Sequence, residues 1–130
     1  MTVAAPDYAE VILDGWPLDY GYIWANGVTL NLTGTYGVLA LYADSTTYLG
    51  ILASTSTGVV TDASWKCSTQ YEIGWDEPGF DDAAWSQARV LGGNDGSHVV
   101  TVAAISPQAK WIWTQDMNAI GEAHCRKTMC

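Results

Sequence analysis

The chain has 130 residues, the size of one domain, and 48% of them are hydrophobic, which is enough to bury a real core and speaks against disorder. Only 15% are charged, and 14 Asp and Glu against 5 Lys and Arg leave a net charge of −9. A nucleic-acid backbone or an anionic membrane surface would be repelled by such a chain, whereas a divalent cation such as calcium is compatible with it.

No segment approaches the roughly 20 continuous apolar residues of a membrane span. The opening MTVAAPDYAEV has neither the basic n-region nor the apolar h-region of a signal peptide, so Met1 reads as the start of a mature domain.

In chain order, AEVILD (9–14) reads as a strand that ends at the Asp14-Gly15 turn. DGWPLDYGYIWANG (14–27) reads as a connection crowded with Trp16, Asp19, Tyr20, Tyr22, Trp24 and Asn26. In VTLNLT (28–33), Val28, Leu30 and Leu32 alternate with Thr29, Asn31 and Thr33, the pattern of a half-buried strand. VLALYA (38–43) is apolar on both faces, as in a central strand of a sandwich. Further strands are expected at 49–53, 58–61, 98–103, 110–114 and 121–126, and DDAAWSQA (81–88) suits a single helical turn capped by Asp81 or Asp82. The turn signals DG, NG, TG, DEPG, GGNDG and SP recur between these segments, so the expected fold is an all-β antiparallel sandwich in one domain, 1–130.

Seven tryptophans are present, and the spacing Asp-x-x-Trp occurs at Asp62/Trp65 and again at Asp82/Trp85. Such a unit can fold back on itself, the carboxylate taking backbone N–H bonds while the indole seals the sandwich edge. Trp65, Trp85, Trp111 and Trp113 therefore read as structural, and Asp82 is expected to be largely buried against backbone N–H groups. WIW (111–113) would place two indoles on one strand face with Ile112 opposite. The cysteines Cys67, Cys125 and Cys130 are odd in number, so one pair can bridge and leave a thiol over. His124-Cys125 has no CxxC partner to complete a zinc site. The NLT sequon at Asn31 would be used only in a secretory pathway.

Taken as a series, TDASWKC, Trp75, GFDDAAW, ISPQAKWIWT and HCRK resemble the second half of a galactose-binding-domain-like jelly roll. DYAEVILDG and GTYGVLALYAD are similar, more loosely, to strands of its first half. Modules of this kind accompany glycoside hydrolases and occur in extracellular lectin-like and matrix proteins. The resemblance implies a jelly roll, a Cys67–Cys125 disulfide with Cys130 left over, a secreted or extracellular setting and a mostly non-catalytic role.

The residues themselves also speak against catalysis. The carboxylate pairs Asp76/Glu77 and Asp81/Asp82 are adjacent in turns, whereas a glycosidase sets two carboxyls about 5–10 Å apart across a cleft. His98 and His124 are the only histidines, and no G-x-S-x-G, HExxH or phosphate loop is present. Binding of glycans or glycoproteins is the better class, with aromatic rings stacking on sugar C–H faces and polar groups taking hydroxyls. The candidate ligand-binding residues are Trp16, Asp19, Tyr20 and Tyr22 in one loop, and Asn94, Asp95 and His98 in the Gly-rich loop 92–98. The plainer alternatives are that Trp16 and Trp24 cover the sandwich edge and that 92–98 is a hairpin turn. Calcium could draw on Asp7, Asp14, Asp44 and Asp95, although no contiguous Asp-x-Asp-x-Asp loop exists. The expectation is a lectin-like module for neutral, galactose-type glycans. The alternative is a structural or adhesive matrix module that associates with its own copies.

Overall fold

The structure is a computed structural model and describes residues 1–5, 8–22, 28–30, 32, 37–45, 49–98, 100–116 and 121–129. Among these, the regular elements are strands: β1 (Thr2–Ala4), β2 (Tyr8–Leu13), β3 (Trp16–Tyr22), β4 (Val28–Thr29), β5 (Val38–Ser45), β6 (Leu52–Ser54), β7 (Lys66–Ser68), β8 (Ser86–Gln87), β9 (Arg89–Gly93), β10 (Lys110–Trp113) and β11 (Gly121–Thr128). They form a six-stranded antiparallel sheet, β3-β2-β5-β11-β7-β8, and two smaller sheets, β4-β1-β6 and β10-β9. Ile51 and Ile112 exchange backbone hydrogen bonds of 2.9 and 3.0 Å, which join the smaller sheets edge to edge. Val3, Ile51, Ala53, Ile112 and Trp113 of this second layer pack against Ala9, Val11, Leu39, Leu41, Ala43 and Ala123 of the six-stranded sheet. The arrangement is thus all-β and sandwich-like.

Alternation along β5 explains its doubly apolar sequence. Leu39, Leu41 and Ala43 enter the central core, while Val38 and Ala40 join Ile12, Trp75 and Trp85 in a separate cluster on the sheet's outer face. That outer cluster exists because residues 69–85 fold back over the sheet. β11 alternates likewise: Ala123 and Cys125 are core residues, and His124 and Arg126 lie on the outer side, both almost fully buried. A buried guanidinium must be paired. Arg126 Nη1 meets the Asp82 carboxylate and donates to the Phe80 carbonyl at 3.4 Å, Nη2 donates to the Glu77 carbonyl at 2.9 Å, and Cζ lies 5.3 Å from the Phe80 ring centroid. One side chain therefore fastens the covering loop to the sheet.

Both Asp-x-x-Trp units are β-turns, closed by Trp65 N to Asp62 O (3.3 Å) and Trp85 N to Asp82 O (2.9 Å). At the first, Asp62 Oδ1 accepts from Ser64 N at 2.8 Å. At the second, Asp81 takes that role, accepting from Ala83 N at 3.0 Å. The expected Asp82 bonds to backbone N–H groups are replaced by the ion pair with Arg126, and the Asp82 side chain is 25% exposed. Leaving Arg126 uncompensated would cost more than a turn cap contributes. Nor is there a helical turn at 81–88: after the β-turn the chain runs into β8, pairing Ser86 with Cys67 and Gln87 with Lys66.

Trp65, Trp85, Trp111 and Trp113 are buried, as the sequence suggested. Trp65 Nε1 donates to the Val60 carbonyl at 2.8 Å, and Trp75 stacks on Trp85 with centroids 6.3 Å apart. Trp111 and Trp113 do not share a platform. A register shift between Trp111 and Ile112 accompanies their division between clusters, Trp113 in the central core and Trp111 with Leu52, Val102 and Ile105 on the far side of the second layer.

Several segment boundaries differ from the sequence reading. The expected 14–27 connection begins with a strand: Asp14 (φ 49°) and Gly15 (φ 86°) make a two-residue hairpin turn into β3. Pro17 and a register shift near Leu18 disguised β3, and both are tolerated because it is an edge strand. Residues 98–103 form no strand where they are described; Val102 instead plugs the Trp111 cluster from a looped segment. At 28–33 the described strand is only Val28–Thr29, at 49–53 it starts at Leu52, and 58–61 contributes a single bridge, Ser54 to Val60.

Cys67 and Cys125 are directly opposite on β7 and β11 and form a disulfide, with Cα atoms 4.1 Å apart and a sequence separation of 58. Cys130 and the Asn31 sequon lie outside the described residues. Replacing both bridge cysteines with Ala should lower stability by about 4 kcal/mol, the chain-entropy value for a loop of this length, in denaturant titration. Trp85→Ala should cost about 3–5 kcal/mol, whereas Trp16→Ala, at a side chain 76% exposed, should change stability by less than about 0.5 kcal/mol.

Candidate functional site

The outer face of the six-stranded sheet is covered unevenly. Over Ile12, Val38, Ala40 and Arg126 lies the 69–85 loop. Towards the other end, the same alternation brings Tyr8 and Glu10 of β2, Tyr42 of β5, and Glu122 and His124 of β11 to the surface side. The register sets Glu10, Tyr42, His124 and Ser68 in one row across four strands. Tyr71, Trp75 and Asp76 of the loop and Pro17 of β3 border this row, enclosing an open cleft of about 510 Å³.

Aromatic rings line it continuously. Tyr8 and Tyr42 meet edge to face at 6.2 Å, Tyr42 lies 5.1 Å from His124, and Trp75 and Tyr71 approach His124 at 4.9 and 6.1 Å between centroids. Tyr8 Oη donates to Glu10 Oε1 at 2.7 Å, and Tyr42 Oη donates to Glu122 Oε1 at 2.9 Å. Burial, then the hydrogen bond to Glu122 and the nearby negative charges, push the Tyr42 phenol above its ordinary pKa, so it keeps its proton. Burial also lowers the pKa of His124, outweighing the opposing pull of the Ser68 carbonyl and of Glu122 and Glu10. The imidazole is therefore neutral at physiological pH, beside Glu10 and Glu122.

A second cavity of about 460 Å³ lies beside the N-terminus, among Met1, Thr29, Leu30, Leu32, Ser54 and Thr57. Among the described residues it holds no aromatic ring and no ionisable side chain, and its terminal amine is bonded to the Leu30 carbonyl at 2.7 Å. The chemistry is concentrated in the first cleft.

The residues singled out from sequence fall in two different layers. Trp16 is largely exposed at the start of β3. Asp19, Tyr20 and Tyr22 belong to the same strand, in register with Val11, Glu10 and Tyr8, so two of the three are paired with residues of the cleft. Trp24 and Asn26 lie outside the described residues. Asn94 is buried: Nδ2 donates to the carbonyls of Val102 (2.9 Å) and Ile105 (3.0 Å), and Oδ1 accepts from Val102 N (2.7 Å). It holds the 94–106 segment together. Asp95 is exposed and accepts from Ser97 N at 3.0 Å; bonding to Ser97 holds its carboxyl below the usual range. His98 Nε2 is bonded to the Leu49 carbonyl at 2.7 Å, and its ring packs on Trp111. Gly92 permits this approach, since a Cβ there would lie 2.8 Å from His98 Cβ.

Tyr8, Glu10, Tyr42, Tyr71, Trp75, Asp76, Glu122 and His124 were not singled out as a site. A signal for part of it exists: Tyr-x-Glu at 8–10 and Glu-x-His at 122–124 put polar and aromatic groups at alternate positions, on one face of each strand. As for metals, among the described residues no group of three or more His, Cys, Asp or Glu converges on a common point. Asp14, one of the four aspartates considered for calcium, accepts from Gly37 N and Val38 N at 2.8 Å each.

The depressed pKa of His124 has a direct consequence for stability. The unfolded chain takes up this proton near pH 6.5 and the folded protein only at lower pH, so the group destabilises the fold as pH falls below about 6.5 and has no effect well above it. Urea titrations at pH 7 and pH 5 should show a smaller loss for His124→Gln than for the wild type; equal losses would contradict a neutral, buried His124.

Comparison of the chain with protein-family models, curated proteins and solved structures finds no match.

Proposed function

We propose that this chain is a secreted, non-catalytic carbohydrate-binding module of galactose-binding-like jelly-roll type, and that its ligand lies in the outer-face cleft of the six-stranded sheet. The observation that carries the reading is the lining of that cleft: four aromatic side chains, Tyr8, Tyr42, Tyr71 and Trp75, interleaved with Glu10, Asp76 and Glu122. Rings of this kind pack on the C–H faces of hexoses, and carboxylates accept hydroxyl hydrogen bonds. The Cys67–Cys125 disulfide supports an oxidising compartment. The net charge of −9 disfavours sulfated and sialylated ligands.

An open cleft of this size should bind a monosaccharide weakly, with Kd around 1 mM, or roughly −4 kcal/mol, so that useful strength comes from multivalent display. A glycan array probed with a multimerised form, followed by NMR titration, tests the assignment. Tyr71→Ala and Glu122→Gln should each weaken binding at least about fivefold, equivalent to about 1 kcal/mol, with little change in Tm. Retention of no glycan would sink the reading.

A second reading has its own observation. Trp16 and Leu18 are 76% and 43% exposed on β3, which ends the six-stranded sheet. Unpaired edges with exposed apolar side chains invite pairing between copies. Sedimentation velocity over a concentration series separates the two readings: a self-associating module forms oligomers that Leu18→Lys abolishes, and a glycan-binding monomer does not.

A further inference from the structure

The cleft is unbalanced in charge. Among the described residues, three carboxylates line it and no lysine or arginine does. Arg126, two positions along β11 from His124, is spent on Asp82 and on the carbonyls of Glu77 and Phe80. The cleft is also unbalanced in hydrogen bonding. The Tyr8 and Tyr42 hydroxyl protons go to Glu10 and Glu122, and among the described residues no donor engages the second oxygen of either carboxylate. His124 Nδ1 is 3.2 Å from the Ser68 carbonyl, which only accepts; Nδ1 therefore carries the proton, and Nε2 is left as a lone pair. Apart from the Tyr71 hydroxyl and the Trp75 indole, the polar side-chain atoms lining the cleft can only accept or have already committed their protons.

A ligand that fits such a lining brings donors and positive charge. Tyrosine and tryptophan faces attract an ammonium group through their ring quadrupoles, and adjacent carboxylates hold it. We propose that the cleft selects glycans carrying free, protonated amino groups, with the ammonium seated among Tyr8, Tyr42 and Trp75 and facing Glu10 and Glu122. This rests on the glycan reading above and specifies the charge of the sugar.

The test compares a trisaccharide of glucosamine units having free amines with its fully N-acetylated counterpart, by calorimetry at pH about 6, where glutamates are ionised. The backbone is the same, so only the amines differ. The free-amine form should bind about tenfold or more tightly, with an advantage that shrinks as salt is raised to roughly 0.15 M. Glu10→Gln with Glu122→Gln should abolish the preference, leaving the two trisaccharides bound with equal, weakened affinity. Asp62→Asn, which removes one charge from the 62–65 turn, should leave the preference intact. Equal affinities for the two trisaccharides, or a preference lost equally in Asp62→Asn, would overturn the amine selectivity and leave the glycan reading standing. Binding of neither, on an otherwise folded protein, would overturn the glycan reading itself, as would choline binding as tightly as the free-amine trisaccharide, because the sugar would then contribute nothing.

Discussion

A single buried cation organises the outer half of this molecule. Arg126 is 1% exposed on a central strand, where an unpaired guanidinium would be untenable. Its two terminal nitrogens are engaged by the Asp82 carboxylate and by the Phe80 and Glu77 carbonyls. Those partners can be in place only if the 69–85 segment lies flat on the sheet. Once it does, Trp75, Trp85 and Phe80 bury Ile12, Val38 and Ala40, and the apolar outer side of β5 is accounted for. The electrostatic constraint and the hydrophobic one are satisfied by the same loop geometry, so neither has to be met at the expense of the other.

The covering loop also defines where the surface opens. Its Tyr71, Trp75 and Asp76 stand beside uncovered strands, and the difference between covered and open halves follows the sequence of β11. Arg126 demands a lid; two residues earlier His124 needs only a carbonyl and aromatic neighbours; two earlier again Glu122 is solvated. Along one strand the outer face grades from sealed to open in three alternate residues. Cleft and core are therefore not independent: weakening the Arg126 contacts would loosen the wall that carries Trp75.

Much of the core was legible in the sequence, because it depends on short-range periodicity. VLALYA announced a central strand, and the tryptophans of the Asp-x-x-Trp units announced buried turns. What escaped depended on partners distant in sequence. Asp82 was read as a turn cap because its neighbours supply amides, yet it answers to Arg126, 44 positions away. β3 was hidden by Pro17 and by a bulge, both admissible at an edge where, among the described residues, nothing pairs with its far side. The cleft draws on β2, β3, β5, β11 and the 71–76 turn, and no window of sequence contains it. The aromatic stretch at 16–24 pointed to its border, since Pro17 lines it and Tyr20 is in register with Glu10. Asn94, by contrast, looked like a ligand contact because a polar residue in a Gly-rich turn suggests exposure, and its amide turns out to tie the loop 94–106 from inside.

The covalent tie between β7 and β11 has a mechanical side. Cys67 and Cys125 are 58 positions apart, so a force drawing the two ends of the chain apart is carried across the sulfurs and bypasses everything between them. Roughly 200 Å of contour length, at about 3.3–3.6 Å per residue, is thereby withheld from extension. The sequestered stretch includes the 69–85 loop and β8 to β10, whereas β1 to β6 remain free to peel away. Under load, Tyr71, Trp75 and Asp76 would keep a bounded tether to Glu122 and His124 after Tyr8 and Glu10 had been pulled off.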